Sequence, residues 1–438
     1  MTERRVAITG LGVVSPAGIG VEALWEGLLA GKGFIRPIEL FDASGFPCGF
    51  GGQVGEFSAR RFVPKTYRKA VKVMARDIEI AVGAADLAFR DSGIVTKGID
   101  ADGPTIESGR LGCNIGAGLI CTDLDELGVA LTTAVDEEGS FSLKAWGESG
   151  MNNLTPLWLL KYLPNMLSCH VTIIHAAMGA SNTITCGDAS AHLAVGEATR
   201  LVARGGADAA VAGGAESKLN PMGLMRQTLL KRAATGWDGE PDRACRPFDE
   251  GHCGTAVGEG GGLLILEDLD RAVARGARIY AEVAGFGAAC DPAGIDVERA
   301  NAGSLDLAVR RAMDDAGIAP DQVGLIVAHG TGVPAEDLCE AEAWQAAMGQ
   351  RVRSIPATAV TGAIGSLFAG AGGVELAVAA KALAEQTVPP TANHAAPARD
   401  CDLGFLCEPR QARLEYVVSA AFSVGGQSGA CVLRRHEP

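Results

Sequence analysis

The sequence predicts an α/β protein built from two similar halves. Along its 438 residues, short apolar runs of strand length alternate with longer stretches of helical periodicity. The first half closes on Ala209-Ala210-Val211-Ala212, a long insertion, Gly258-Glu259-Gly260-Gly261 and then Leu263 to Leu266. The second closes alike, with Val417 to Ala421 leading through Gly425-Gly426 to Ala430 to Leu433. A strand, a Gly-rich segment and a returning strand at both ends is the mark of an internal duplication.

The elements follow in order. Val6 to Gly10 has the apolar continuity of a buried strand. Gly20 to Ala30 and Met74 to Ser92 are helices, the second with its apolar residues spaced by three and four. Leu111 to Gly116 is a strand, and Leu154 to Leu167 is a helix carrying Pro164 near its end. Thr183 to Cys186 is a strand followed by a helix over Ala189 to Gly205, stopped by the Gly205-Gly206 pair. Ala207 to Ala212 and Gly260 to Glu267 complete the first half. In the second half, Ile279 to Ala284, Leu325 to Ala328 and Tyr416 to Ala421 are strands, and Leu305 to Ala316 and Gly373 to Glu385 are helices. The pattern divides the chain into halves at 1–267 and 268–438. Residues 218–254, rich in Arg, Asp and Gly, form an insertion loop in the first.

Composition narrows the function. The formal net charge of −14 argues against nucleic acid and anionic membranes as partners. No apolar run approaches the roughly 18 residues of a spanning helix. The N-terminal Met1-Thr2-Glu3-Arg4-Arg5 leads directly into a strand rather than a signal peptide. The 12 Cys show neither pairing nor CxxC spacing, which fits reduced thiols in a cytoplasm. The seven His do not cluster with them, which argues against zinc, and no other metal or cofactor motif is present.

Seven segments in order carry a resemblance. They are Val6-Ala7-Ile8-Thr9-Gly10-Leu11-Gly12, Leu163-Pro164-Asn165-Met166, Cys245-Arg246-Pro247-Phe248-Asp249, Gly258-Glu259-Gly260, Ala328-His329-Gly330-Thr331-Gly332, Pro389-Pro390-Thr391-Ala392-Asn393, and Phe422 before Gly425-Gly426. Together they resemble the β-ketoacyl-acyl-carrier-protein synthase family. The resemblance covers nearly the whole chain and implies a duplicated thiolase-like fold, layered α-β-α-β-α. It also implies four chemical parts: a Cys nucleophile at a helix N-terminus, two polar side chains that are usually His, a Lys, and a backbone oxyanion hole.

This chain departs from the pattern at the nucleophile. The family Cys lies nine residues after one Gly and eight before another. Gly179 and Gly196 both place it at Asp188. A carboxylate is a weak nucleophile toward a thioester, and its ordinary pKa leaves it ionised at neutral pH. Two roles are open to it: an N-cap of the following helix, or a charge that drives decarboxylation of a loaded malonyl group. Cys186, two residues earlier on the strand, is the alternative nucleophile. His329 matches the first family His, as a catalytic group or as a turn-holding residue. Gap-free spacing back from Gly370-Ala371-Gly372-Gly373-Val374-Glu375 puts Ser366 at the second His position and Thr361 at the Lys position. Neither supplies a cation or a proton at neutral pH. Where the family usually has Phe-Gly-Phe-Gly-Gly, this chain has Phe422-Ser423-Val424-Gly425-Gly426. Phe422 is expected to wall an acyl pocket, and Ser423 and Val424 to stiffen its gate. His252 and Cys253 stand where an Arg-Asp pair is common. His170, His175, His192 and His394 read as structural.

Loss of nucleophile, second His and Lys together implies lost condensing chemistry on an intact scaffold. Within the family this resembles the chain-length factor, the ketosynthase β subunit of type II polyketide synthases. The similarity extends to Ile355-Pro356-Ala357-Thr358 and to Gly365 through Gly370. The usual replacement there is Gln rather than Asp, so the chain diverges from that group too. The expected partners are an acyl carrier protein and either a Cys-bearing ketosynthase α subunit, as a heterodimer, or a second copy of the chain. The alternative is an active 3-oxoacyl-carrier synthase or a malonyl-carrier decarboxylase. Gly116-Ala117-Gly118-Leu119-Ile120 is the expected wall of an acyl tunnel.

Overall fold

The computed structural model describes residues 4–292 and 302–437. Its first half holds β1 (Val6–Ser15), α1 (Arg76–Ser92), β2 (Leu111–Gly116), α2 (Met166–His175), β3 (Ser181–Ile184), α3 (Ser190–Ala203), β4 (Ala209–Ser217), α4 (Pro221–Leu229) and β5 (Glu259–Asp268). The second holds β6 (Ala281–Cys290), α5 (Ala302–Ala316), β7 (Val323–Ala328), α6 (Pro334–Met348), β8 (Pro356–Ala359), α7 (Ala371–Glu385), β9 (Tyr416–Phe422) and β10 (Gln427–Arg434).

Strand order repeats between the halves. The first runs β1-β5-β4-β2-β3 and the second β6-β10-β9-β7-β8. The pairing senses also match: β4-β2-β3 and β9-β7-β8 are parallel, and the other neighbours are antiparallel. A short antiparallel contact, Val6↔Val283 to Ile8↔Ala281, joins β1 to β6.

Helices form three layers around these strands. α1 covers one outer face, on β1, β5 and β4, while α5 covers the other, on β6 and β10. α3 and α7 lie in the middle, and each touches strands of both halves. A middle helix has no solvent face, which explains why every residue of α7 from Ala371 to Leu383 is buried. Its Ala- and Gly-rich sequence lets both sheets approach closely. The thiolase-like α/β layering predicted from the sequence is therefore present.

Three local expectations are corrected. No helix spans 154–167; the chain makes a 3-10 turn at Trp158–Tyr162 and begins α2 only at Met166. Pro164 lacks an N–H and is excluded from a helix interior, but it is tolerated just ahead of a first turn. β3 ends at Ile184, so Cys186 lies at the turn and not on the strand. The segment 218–254 is not all loop: it contains α4, opened by Pro221 and capped by Asn220, whose side-chain oxygen accepts from Gly223 N at 2.8 Å. Among the described residues, no helix is long and apolar enough to cross a membrane.

Candidate active site

The elbow between β3 and α3 places Asp188. Gly187 turns the chain with φ of 54°, and a Cβ there would lie 2.8 Å from the Cβ of Ser423. Only glycine meets both conditions cheaply. Ser190 closes the turn: its hydroxyl accepts from Cys186 N at 2.8 Å and donates to Gly187 O at 2.6 Å.

Asp188 is not the helix cap. The cap position of α3 is Ala189, with no side-chain bond to the helix N–H groups. The Asp188 carboxylate turns instead into the interior, where Arg232 Nη2 donates to its Oδ2 at 3.3 Å. Arg232, just beyond α4, is itself gripped by Glu336 at the start of α6 (2.7 and 3.0 Å) and by Gln227 Oε1 (3.1 Å).

His329 approaches from the other side, at the C-terminal end of β7. The Glu340 carboxylate accepts from the backbone N–H groups of His329 and Gly330, each at 2.8 Å. The Thr361 hydroxyl donates to the His329 carbonyl at 2.7 Å. On the ring, Nδ1 bonds Glu375 Oε1 of α7 at 2.8 Å. Nε2 faces Asp188 Oδ2 at 3.9 Å, beyond hydrogen-bond range.

The result is a buried chain of alternating charge, Glu336–Arg232–Asp188–His329–Glu375. Burial by itself raises a carboxyl pKa, but His329 and Arg232 hold that of Asp188 below its ordinary value. Burial opposes charge on His329, yet Glu375 and Asp188 raise its pKa well above the usual imidazole value, which favours the imidazolium. Burial pushes Glu340 up to about 7. A carboxylate bound to a guanidinium and facing an imidazolium has little nucleophilicity left.

The remaining predicted residues take distinct places. Thr361 braces the backbone of His329 and adds no charge. Ser366 turns into its own loop, where its hydroxyl accepts from Phe368 N at 3.4 Å. Phe422 stands edge-on to the His329 ring at 6.3 Å. Ser423 bonds Gln427 through both its N–H and its hydroxyl, tying the turn that carries Val424. Burial, followed by the neighbouring Cys290, raises the thiol pKa of Cys186, which disfavours a thiolate there. His252 Nδ1 bonds Asp337 Oδ2 at 2.9 Å.

In the 116–120 stretch, Ala117 is buried and Leu119 is exposed. A Cβ on Gly118 would overlap the buried Glu216 carboxylate, which pairs with Lys218. Lys218 in turn donates to Leu119 O at 2.7 Å. The stretch is backed by charge as well as by apolar core.

Sequence reasoning missed Arg232, Glu336, Glu340 and Glu375, which come from segments distant along the chain. It also set His192 aside. That ring is fully buried one helical turn after Asp188, with Nε2 2.9 Å from Ser419 Oγ and 3.9 Å from Glu375 Oε2. The spacing of four from Asp188, in the turn, to His192, in the first turn of α3, was the signal available.

Comparison with known proteins decides the family. The model for the N-terminal domain of β-ketoacyl synthase matches residues 3–272, and that for its C-terminal domain matches residues 280–395. The chain belongs to the β-ketoacyl synthase family. Among family members, the 3-oxoacyl-[acyl-carrier-protein] synthase 2 of Synechocystis sp. is 33% identical, covering 100% of this chain and 99% of its own. That of Vibrio cholerae is also 33% identical, covering 99% and 100%. A solved structure described as the ishigamide ketosynthase/chain length factor superposes with a TM-score of 0.84 at 27% identity over 100% of both chains. A β-ketoacyl synthase from Burkholderia phymatum gives 0.85 at 26% identity, over 99% of this chain and 100% of that one.

Proposed function

We propose that this chain is a non-condensing ketosynthase homologue. It acts as a chain-length-factor-like partner subunit of a type II polyketide or fatty-acid β-ketoacyl-acyl-carrier-protein synthase and shapes the acyl pocket. One observation carries the proposal: the side chain at the nucleophile position is a carboxylate held between Arg232 and His329.

Surface features support both partners. β3 pairs with β2 on one side only, and its first residues, Ser181 and Asn182, are exposed. Near it in sequence, Ile173 and Met178 are exposed apolar side chains, as are Leu143 and Leu157. An open strand edge beside exposed apolar groups suits coverage by another chain. For the carrier protein, residues 60–72 present Arg60, Arg61, Lys65, Arg68, Lys69 and Lys72, all exposed, with no acidic residue between Glu56 and Asp77. Such a patch on an acidic protein suits an acidic partner.

A second reading, an active synthase or a malonyl-carrier decarboxylase, is favoured by the full-length 33% identity to named synthases and by the retained, charged His329. Co-expression with a Cys-bearing ketosynthase, followed by incubation with acyl- and malonyl-carrier protein, separates the two. The partner-subunit reading expects a 1:1 complex and an unmodified chain. An acyl adduct on Asp188 or Cys186, or CO₂ release by the chain alone, overturns it.

A further inference from the structure

The charge chain has a property that follows from how its cations are held. Arg232 is oriented by Glu336 through two hydrogen bonds and by Gln227 through a third. His329 is oriented by Glu375, Glu340 and Thr361. Neither cation depends on Asp188 for its position. Both point at the same small volume, walled by Phe422 near His329 and by Phe368 at 5.8 Å from the Arg232 guanidinium carbon. His329 is 2% exposed, and its Nε2 has no hydrogen-bond partner among the described residues. A buried ring nitrogen with no hydrogen-bond partner, 3.9 Å from a carboxylate, is a binding group that Asp188 faces without satisfying.

We propose that Arg232 and His329 form a pre-organised cradle for one small carboxylate, that Asp188 is its built-in occupant, and that shortening Asp188 turns the elbow into a binding site for a free carboxylate. This rests on the reading that the elbow does no covalent chemistry. It adds that the native site refuses carboxylate ligands because it already holds one. Two charged donors in a dry pocket bind an anion strongly, because their orientation is settled before it arrives.

Size provides the test. Replacing Asp188 with Gly removes a CH₂–COO⁻ group, the shape of acetate. Replacing it with Ala removes only the carboxylate, the shape of formate. Thermal unfolding of D188G, D188A, D188N and wild type is followed at matched ionic strength in formate, acetate or chloride. The expected result is a saturable rise in Tm for D188A with formate but not acetate. D188G rises with acetate, while wild type and D188N show no carboxylate-specific shift. An equal response to chloride, a wild-type shift as large as that of D188A, or folded short variants blind to both carboxylates overturns the proposal. If the short variants do not accumulate folded, a denaturation cycle of D188N, R232Q and the double variant decides. A coupling of roughly tenfold or more in the folding equilibrium supports the cradle, and additivity overturns it. Co-purification with a ketosynthase is independent of these readouts, so failure of the cradle and failure of the partner-subunit reading are told apart.

Discussion

The Asp188 carboxylate and the Arg232 guanidinium meet at 3.3 Å although 44 residues separate them in the chain. Both are more than nine-tenths buried. Such a pair adds little net stability over an apolar core, but removing one member leaves the other buried with one counter-charge fewer.

R232Q is therefore expected to destabilise the protein by about 3–5 kcal/mol, because it leaves Glu336 buried without its cation and Asp188 with His329 alone. Urea denaturation of the purified variant measures this. A loss below about 1 kcal/mol would mean that water reaches the site and screens it.

D188C tests the chemistry of the position. Its sulfur would lie beside Arg232 and the imidazolium of His329, both of which favour a thiolate. Iodoacetamide at pH 7 is expected to alkylate it at least about tenfold faster than Cys186. Condensation with malonyl-carrier protein stays at the wild-type level, because Thr361 and Ser366 still offer neither charge nor proton. Intact mass and product assays on one sample check both halves, and restored condensation would refute the assignment of three coordinated losses.

His192 predicts a pH dependence. Burial, aided by the charge on His329, lowers its pKa to about 3. Between pH 3 and the unfolded value near 6.5, the unfolded chain binds a proton that the folded chain refuses. This group's contribution therefore destabilises the fold at low pH, and the penalty disappears as pH rises through that window. H192Q removes it. The stability of wild type minus that of H192Q should rise from pH 3 to 6.5, by at most about 1.4 kcal/mol per pH unit, and then stay level. A flat difference curve would show that the ring is charged in the fold.

The basic segment predicts carrier binding. K65E/R68E/K69E is expected to weaken binding of acyl-carrier protein at least about tenfold, and wild-type binding should fall as salt rises. Surface plasmon resonance at two ionic strengths reads both effects. Unchanged affinity in the triple variant would place the carrier elsewhere.

Local pattern was sufficient for most elements, and β2 spans the same residues in sequence and structure, Leu111–Gly116. It failed at 154–167, where the apolar spacing looks helical but Pro164 excludes an interior turn. It failed again at Asp188, where a carboxylate ahead of a helix resembles a cap. The cap reading weighed only neighbours in sequence. In the folded chain, a guanidinium and an imidazolium outcompete the N–H groups of the first turn.

The sequence by itself determined the α/β class, the duplicated order of segments, the family, and the identity of the residue in the nucleophile slot. The class and the segment order follow from periodicity and glycine placement, and the family and its nucleophile slot from motifs that resemble known members, all of which are local. Only the tertiary structure decided what Asp188 does. Its partners arrive from just beyond α4 and from the end of β7, and a charge's behaviour depends on which opposite charges share its dry volume. That is a matter of distance in space, and residue order does not encode it directly.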